Sequence, residues 1–179
     1  MRYSIIVFCI ITIALCTTCL STERKSAQQN FVKQSLKPSN ELEYFIVGMF
    51  CGECGGDCAP MYKFDCKTNR LFADHSNSYF TGRIGRPTSF ANEITDEKTV
   101  KMVSAIRDSI PKLFFKEGTP NKFGCPDCRD GCGIYLEIKQ SDKERVFSLD
   151  FQASSLSGEV KTFVEYLTPK IEFMRANNK

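Results

Sequence analysis

One histidine, His75, is all that the 179 residues contain. That excludes metal sites and nucleophile–base pairs built on two imidazoles. It sits in a polar Asp-His-Ser-Asn run and reads as a solvated side chain. There is no glycine-rich phosphate loop, no serine-centred elbow and no paired metal-histidine motif, so no cofactor and no catalytic residue is expected. There is no basic run and no interleaving of basic with aromatic residues, and the formal net charge is only +3. Nucleic acid is therefore not an expected partner. The apolar run at residues 5–15 is too short to span a bilayer comfortably.

That run follows one positive charge, Arg2, and ends in Cys16-Thr17-Thr18-Cys19. The pattern is a signal peptide over residues 1–19, of the kind in which Cys19 becomes the lipidated first residue. Ordinary secretion and an uncleaved anchor are the other readings, and all three imply export. Loss of Arg2 with the leader lowers the formal charge from +3 to +2, near neutral for a domain of this size. Residues 20–40 are polar and read as a flexible tether, too poor in apolar groups to offset the entropy of ordering. Residues 41–179 read as one domain, long enough to bury about two-thirds of its extended surface.

Cysteine is abundant. Of ten, Cys9, Cys16 and Cys19 belong to the leader, which leaves seven. Six of these fall into two copies of one spacing, Cys-x-x-Cys-x-x-x-Cys: Cys51, Cys54 and Cys58, then Cys125, Cys128 and Cys132. Chance rarely repeats three cysteines in register. Cys66 is the odd one, outside both units. In an exported chain such cysteines pair, so Cys66 is the expected free thiol, facing the apolar side of its strand with Tyr62 and Phe64.

The apolar pattern supplies the elements. Residues 41–50 form a strand that is apolar on both faces around Tyr44-Phe45-Ile46-Val47, hence an inner strand. Residues 61–66 and 70–74 form a hairpin about Lys67-Thr68-Asn69. Residues 75–92 read as a long irregular connection. A helix starts at an N-cap Thr95, buries Val100, Val103, Ile106 and Ile110, and ends at Pro111. Residues 118–124 read as a loop. Residues 134–139 and 145–151 form a second hairpin about residues 140–144. A last helix opens at Ser157, with Pro169 expected to kink or split it. The expected class is α+β: an antiparallel sheet with two helices on one face, in two similar ββα halves, each preceded by a cysteine loop.

The segments Cys-Gly-Glu-Cys-x3-Cys-Ala-x-Met-Tyr-Lys at residues 51–63 and Gly-Cys-Pro-Asp-Cys at residues 124–128 resemble those of an uncharacterised family of small bacterial exported proteins and lipoproteins. The resemblance covers most of the chain beyond the leader. It implies export and the repeated ββα layout, and it carries no activity with it.

Three chemistries compete for the cysteines. The first is structural disulfides in a binding or interaction module at the cell envelope, its partner an envelope protein or ligand of unknown kind. The second is thiol–disulfide exchange at Cys51 and Cys54 or at Cys125 and Cys128, opposed by the glycines and acids that follow each pair. The third is a zinc site on Cys51, Cys54, Cys125 and Cys128, opposed by their long separation and an oxidising compartment. Asp127 and Asp130 are a candidate acid–base pair, though acids in such loops more often cap turns.

Overall fold

The computed structural model describes residues 42–52, 54–81, 86–87, 90–126, 128 and 131–178. The leader, the tether and Cys19 lie outside the described residues, as do Asp127 and Asp130. Strand β1 (Leu42–Cys51) is the centre of the sheet. Its run of bulky β-branched and aromatic residues alternates Phe45, Val47, Met49 and Cys51 onto one face and Tyr44, Ile46 and Phe50 onto the other. Such a strand needs cover on both faces, and it has it.

On one side β1 pairs antiparallel with β2 (Met61–Asp65), which pairs with β3 (Arg70–Asp74). The β2–β3 turn forms where the Asp65 carboxylate accepts the backbone N–H groups of Lys67 and Thr68, both at 2.9 Å. On the other side β1 pairs with β6 (Cys132–Gln140), which turns through Ser141-Asp142 into β7 (Lys143–Asp150). The short β4 (Asn92–Ile94) and β5 (Lys122–Phe123) complete a seven-stranded sheet of order β4-β3-β2-β1-β6-β7-β5.

Two points differ from the expected antiparallel sheet with two helices. β5 runs parallel to β7, with Phe123 opposite Leu149, so the sheet is mixed. Phe123 closes against the Phe114 ring at 5.6 Å, which draws this stretch of the expected loop onto the sheet edge. The connection after β3 also holds a helical turn, α1 (Ser78–Thr81), and β4, where an irregular segment was expected. Among the described residues the fold is α+β with three α-helices.

Helix α2 (Glu97–Ser109) is capped by Asp96, one residue after the expected Thr95; its carboxylate accepts the Thr99 N–H at 2.8 Å. Val103, Ile106 and Ile110 are buried as expected, while Val100 stays at the rim. Ile110 turns extended before Pro111, and a 3-10 turn (Lys112–Phe115) then buries Phe114 against Phe123, Phe147 and Phe163. Helix α3 (Gly158–Asn177) buries Val160, Phe163, Val164, Leu167, Ile171 and Met174. Pro169 does not split it. Pro169 lies on the exposed face, where water can take the carbonyl that loses its donor, and the buried stripe runs on past it. Side chains from α2 and α3 share one core with β1, β2, β3, β6 and β7. Among the described residues, no helix is long and apolar enough to cross a membrane.

A smaller cluster of Ile46, Phe50, Ala59, Met61 and Tyr135 occupies the other face, beneath Tyr79 of α1 and Phe90. Beside it Glu137, 3% exposed, accepts hydrogen bonds from Tyr44 Oη at 2.9 Å, Arg86 Nη2 at 2.9 Å and Tyr135 Oη. This ties the β3–β4 connection down at Arg86.

β1 and β2 approach so closely at Gly48 that a Cβ there would lie 2.3 Å from the Pro60 carbonyl oxygen and 3.0 Å from the Met61 Cα. Backbone atoms in a central pair cannot yield. Gly48→Ala is expected to destabilise the fold by about 1–3 kcal/mol, read as a lowered urea midpoint at unchanged slope.

Candidate functional site

The β1–β6 register ends with Cys51 opposite Cys132, and these two are bridged across 81 residues of sequence. The backbone explains why the bridge fits. Cys51 donates its N–H to the Cys58 carbonyl at 3.0 Å, so its hydrogen-bonding edge faces the first cysteine loop. Its other edge therefore meets Cys132 in a non-hydrogen-bonded pair, where strands come closest. The Cα–Cα distance is 4.2 Å. Cys51 is only 8% exposed, and Cys132 packs on the main core beside it.

The other two bridges are local. Cys54–Cys58 spans four residues and Cys125–Cys128 spans three, with Cα atoms 5.7 and 5.4 Å apart. Cys54, Cys125 and Cys128 are exposed and Cys58 is half-buried. Cys51 is thus not the partner of Cys54, as one redox reading required. The four sulfurs of the zinc reading are divided among three bridges. Among the described residues there is no group of three or more His, Cys, Asp and Glu able to hold a metal ion.

Each loop is fastened by side chains that the cysteine spacing did not reveal. In the first, Asn77, in the left-handed region at φ 57°, accepts the N–H groups of Cys58 and Ala59, both at 2.9 Å, and donates to the Gly56 carbonyl at 2.8 Å. His75 Nδ1 lies 2.6 Å from Asp57 Oδ2, and the His75 ring sits edge-on to Tyr62. His75 is therefore a paired, half-buried group, a correction to its reading as a solvated one; the loop folds back over the exit of β3 and covers it. Arg175, in the last turn of α3, donates to the Asp57 carbonyl at 3.3 Å. Asp57 Oδ1, Tyr62 Oη and His75 Nε2 are shielded from solvent and have no hydrogen-bond partner among the described residues. Burial first, then the Asp57 charge, pushes the Tyr62 phenol far above its usual range, against the opposing pull of Arg175. The only sequence signal for this group was polarity, which exposed and paired residues share.

In the second loop Asp150, at the end of β7, accepts the Cys125 N–H at 2.9 Å and the Gln152 N–H at 2.8 Å. Burial works to raise its carboxyl. The Ser155 hydroxyl and those two N–H groups outweigh it and hold the group below the ordinary aspartate range.

Among the described residues Cys66 is the free cysteine. It is half-buried against the main core, and desolvation pushes its thiol up to about 11; Arg107 opposes this, and Asp65 and Asp108 add to it. An open groove of about 560 Å³ lies elsewhere, between Arg70 and Glu93 on the sheet and Val100 and Lys101 on α2, with no cysteine in its wall. Comparison of the chain with family models, curated proteins and solved structures gave no match.

A half-buried thiol with so high a pKa holds almost no thiolate near neutrality. With Cys9, Cys16 and Cys19 replaced by serine, the native chain is expected to take up almost no iodoacetamide at about pH 8, and unfolding without reductant should expose one thiol, at Cys66. Peptide mapping by mass spectrometry checks both. Native labelling at any of the six loop cysteines would contradict the bridges described.

Proposed function

We propose that this chain is an exported, disulfide-stapled interaction module, held at a bacterial cell envelope by a lipid on Cys19. It recognises an envelope protein or ligand with the end of the sheet that carries the two cysteine loops. The observation that supports this is the Cys51–Cys132 bridge, which sets the two loops side by side on the two central strands. Recognition residues concentrate on loops positioned by a rigid scaffold, and each of these loops is stapled internally and fastened by a polar side chain, Asn77 after β3 or Asp150 at the end of β7. In this reading the chain is two ββα halves flanking β1, each preceded by its cysteine loop, with both long helices on one face. The sheet order, with β2 and β3 on one side of β1 and β6 and β7 on the other, agrees with it. Anchoring at Cys19 rests on the leader pattern.

A photo-crosslinking residue at Gly55 tests the surface. The position is exposed, and an added Cβ meets nothing within 4 Å. Thr68, in the exposed turn at the far end of β2, is the control. Irradiation of intact cells is expected to give a discrete adduct from position 55 and none from position 68; equal yields, or none from either, would overturn the reading. Separately, Cys19→Ser should release the protein from membrane fractions or block its processing, and unchanged attachment would remove the lipid anchor from the proposal.

A further inference from the structure

Three cysteines are neighbours at the head of the sheet. Gly48 is opposite Met61 in the β1–β2 register, and that register continues past the first residue of β2. The Met49 N–H donates to the Pro60 carbonyl at 3.3 Å and the Cys51 N–H to the Cys58 carbonyl at 3.0 Å. Cys58 is therefore the register partner of Cys51 on one side, as Cys132 is on the other. Cys51 and Cys132 pack on the main core, while Cys58, half-buried, stands at the edge of the first loop beside them. The hydrogen bond to the Cys58 carbonyl sets the Cys58 backbone directly beside that of Cys51, while the Cys58 N–H itself goes to Asn77 Oδ1 at 2.9 Å. Cys51 is thus flanked by Cys58, through a backbone hydrogen bond, on one side and by Cys132, through the bridge, on the other.

Thiol–disulfide exchange needs an attacking sulfur within reach of the bridge, and Cys58, hydrogen-bonded through its backbone to Cys51, is the cysteine nearest to it in register once its own bond to Cys54 opens. We propose that the head of the sheet is a disulfide relay that accepts electrons from a dithiol, of a partner protein or a small molecule, and passes them to the buried bridge. One thiolate of the dithiol attacks the exposed Cys54 sulfur; a mixed disulfide forms, the Cys54–Cys58 bond breaks and the Cys58 thiolate leaves. The Cys58 thiolate then attacks Cys51; the Cys51–Cys58 bond forms, the Cys51–Cys132 bond breaks and Cys132 leaves as thiolate. The second thiol of the dithiol resolves the mixed disulfide and frees Cys54. The dithiol ends as a disulfide, having given up two electrons and two protons. The chain ends with one bridge, Cys51–Cys58, and thiols at Cys54 and Cys132 in place of two bridges. This activity goes beyond the binding reading and does not depend on it.

Access and charge support this order. Cys54 is exposed while Cys51 is 8% exposed, so an outside thiol meets the loop bridge first. Arg175 is a cation beside the first loop: Nη2 donates to the carbonyl of Asp57, the residue before Cys58, and Nη1 lies 3.8 Å from Met49 Sδ, on the Cys51 face. A nearby guanidinium favours thiolate over thiol.

The test uses the full chain with Cys9, Cys16, Cys19, Cys125 and Cys128 replaced by serine, so that dithiothreitol meets only the two bridges of the relay. Samples taken during reduction by one equivalent are quenched in acid, alkylated and peptide-mapped. The expected product carries alkyl groups on Cys54 and Cys132 and a Cys51–Cys58 crosslink. Alkylation of Cys54 and Cys58 with Cys51–Cys132 intact would overturn the relay, and so would release of Cys51 and Cys132 with Cys54–Cys58 intact. The further change Cys54→Ser with Cys58→Ser removes the relay thiolate. It is expected to slow the appearance of the Cys132 thiol by about tenfold or more, because the buried bridge must then be reached directly. An unchanged rate would overturn the proposal even if the exchanged bridge were too short-lived to trap.

Discussion

β1 has partners along both edges and apolar cover on both faces, and the rest of the molecule is arranged to supply them. Phe45, Val47, Met49 and Cys51 require a core on one side, which α2 and α3 provide together with Phe114. Ile46 and Phe50 require a second, smaller one, which draws the β3–β4 connection across the opposite face. A strand so enclosed has no exposed edge and no freedom of register, because a slip by one residue would exchange its two faces. The register in turn decides which side chains stand opposite each other at its end. Cys51 comes to face Cys132 on one side and Cys58 on the other for the same reason that Val47 faces Leu136 and Tyr62.

The second face shows how a polar group is accommodated in such a frame. Glu137 is almost wholly enclosed beside Tyr135, and an unpaired carboxylate there would be prohibitive. Its oxygens are taken by two phenols and a guanidinium, and Arg86 and Tyr44 reach onward to Glu144 at 3.1 and 3.0 Å. The pair raises no question of net stabilisation against an apolar substitute, since buried ion pairs seldom gain by that comparison. What it does is fix one arrangement of the connection over the sheet.

The parts of the fold visible in the sequence are those set by local periodicity. β2, β3 and the β6–β7 hairpin follow from alternation, and α3 follows from a stripe at helical spacing behind Ser157. β5 was not visible because two residues carry no period; Phe123 joins the sheet through its contact with Phe114, nine positions earlier in the chain. α1 and β4 are equally short. At the head of the sheet, spacing identified the six cysteines but left their pairing open, since pairing depends on which residues the β1–β6 register brings together. Asn77, His75 and Arg175 fasten the first loop from three places in the chain, and nothing local to any of them points there. Asp150 was read as the end of a strand, and only the folded chain shows that it holds Cys125.

The three bridges differ in what they hold and in what can reach them. Loop-closure entropy gives the Cys51–Cys132 bridge, 81 residues apart, about 4.5 kcal/mol, against about 2 kcal/mol for the bridges that span four and three residues. The bridge that constrains the unfolded chain most is the buried one, and the two that constrain it least are the exposed ones. Outside thiols therefore meet first the bonds whose loss the fold tolerates best. The hydrogen bonds that the backbone N–H groups of Cys58 and Cys125 donate to Asn77 and Asp150 do not depend on the sulfurs. Each loop accordingly keeps its anchor when its own bridge opens. Chemistry at the loop sulfurs is thereby separated from the cohesion of the sheet, and the one sulfur that connects the two is Cys51, which has a cysteine opposite it on both sides.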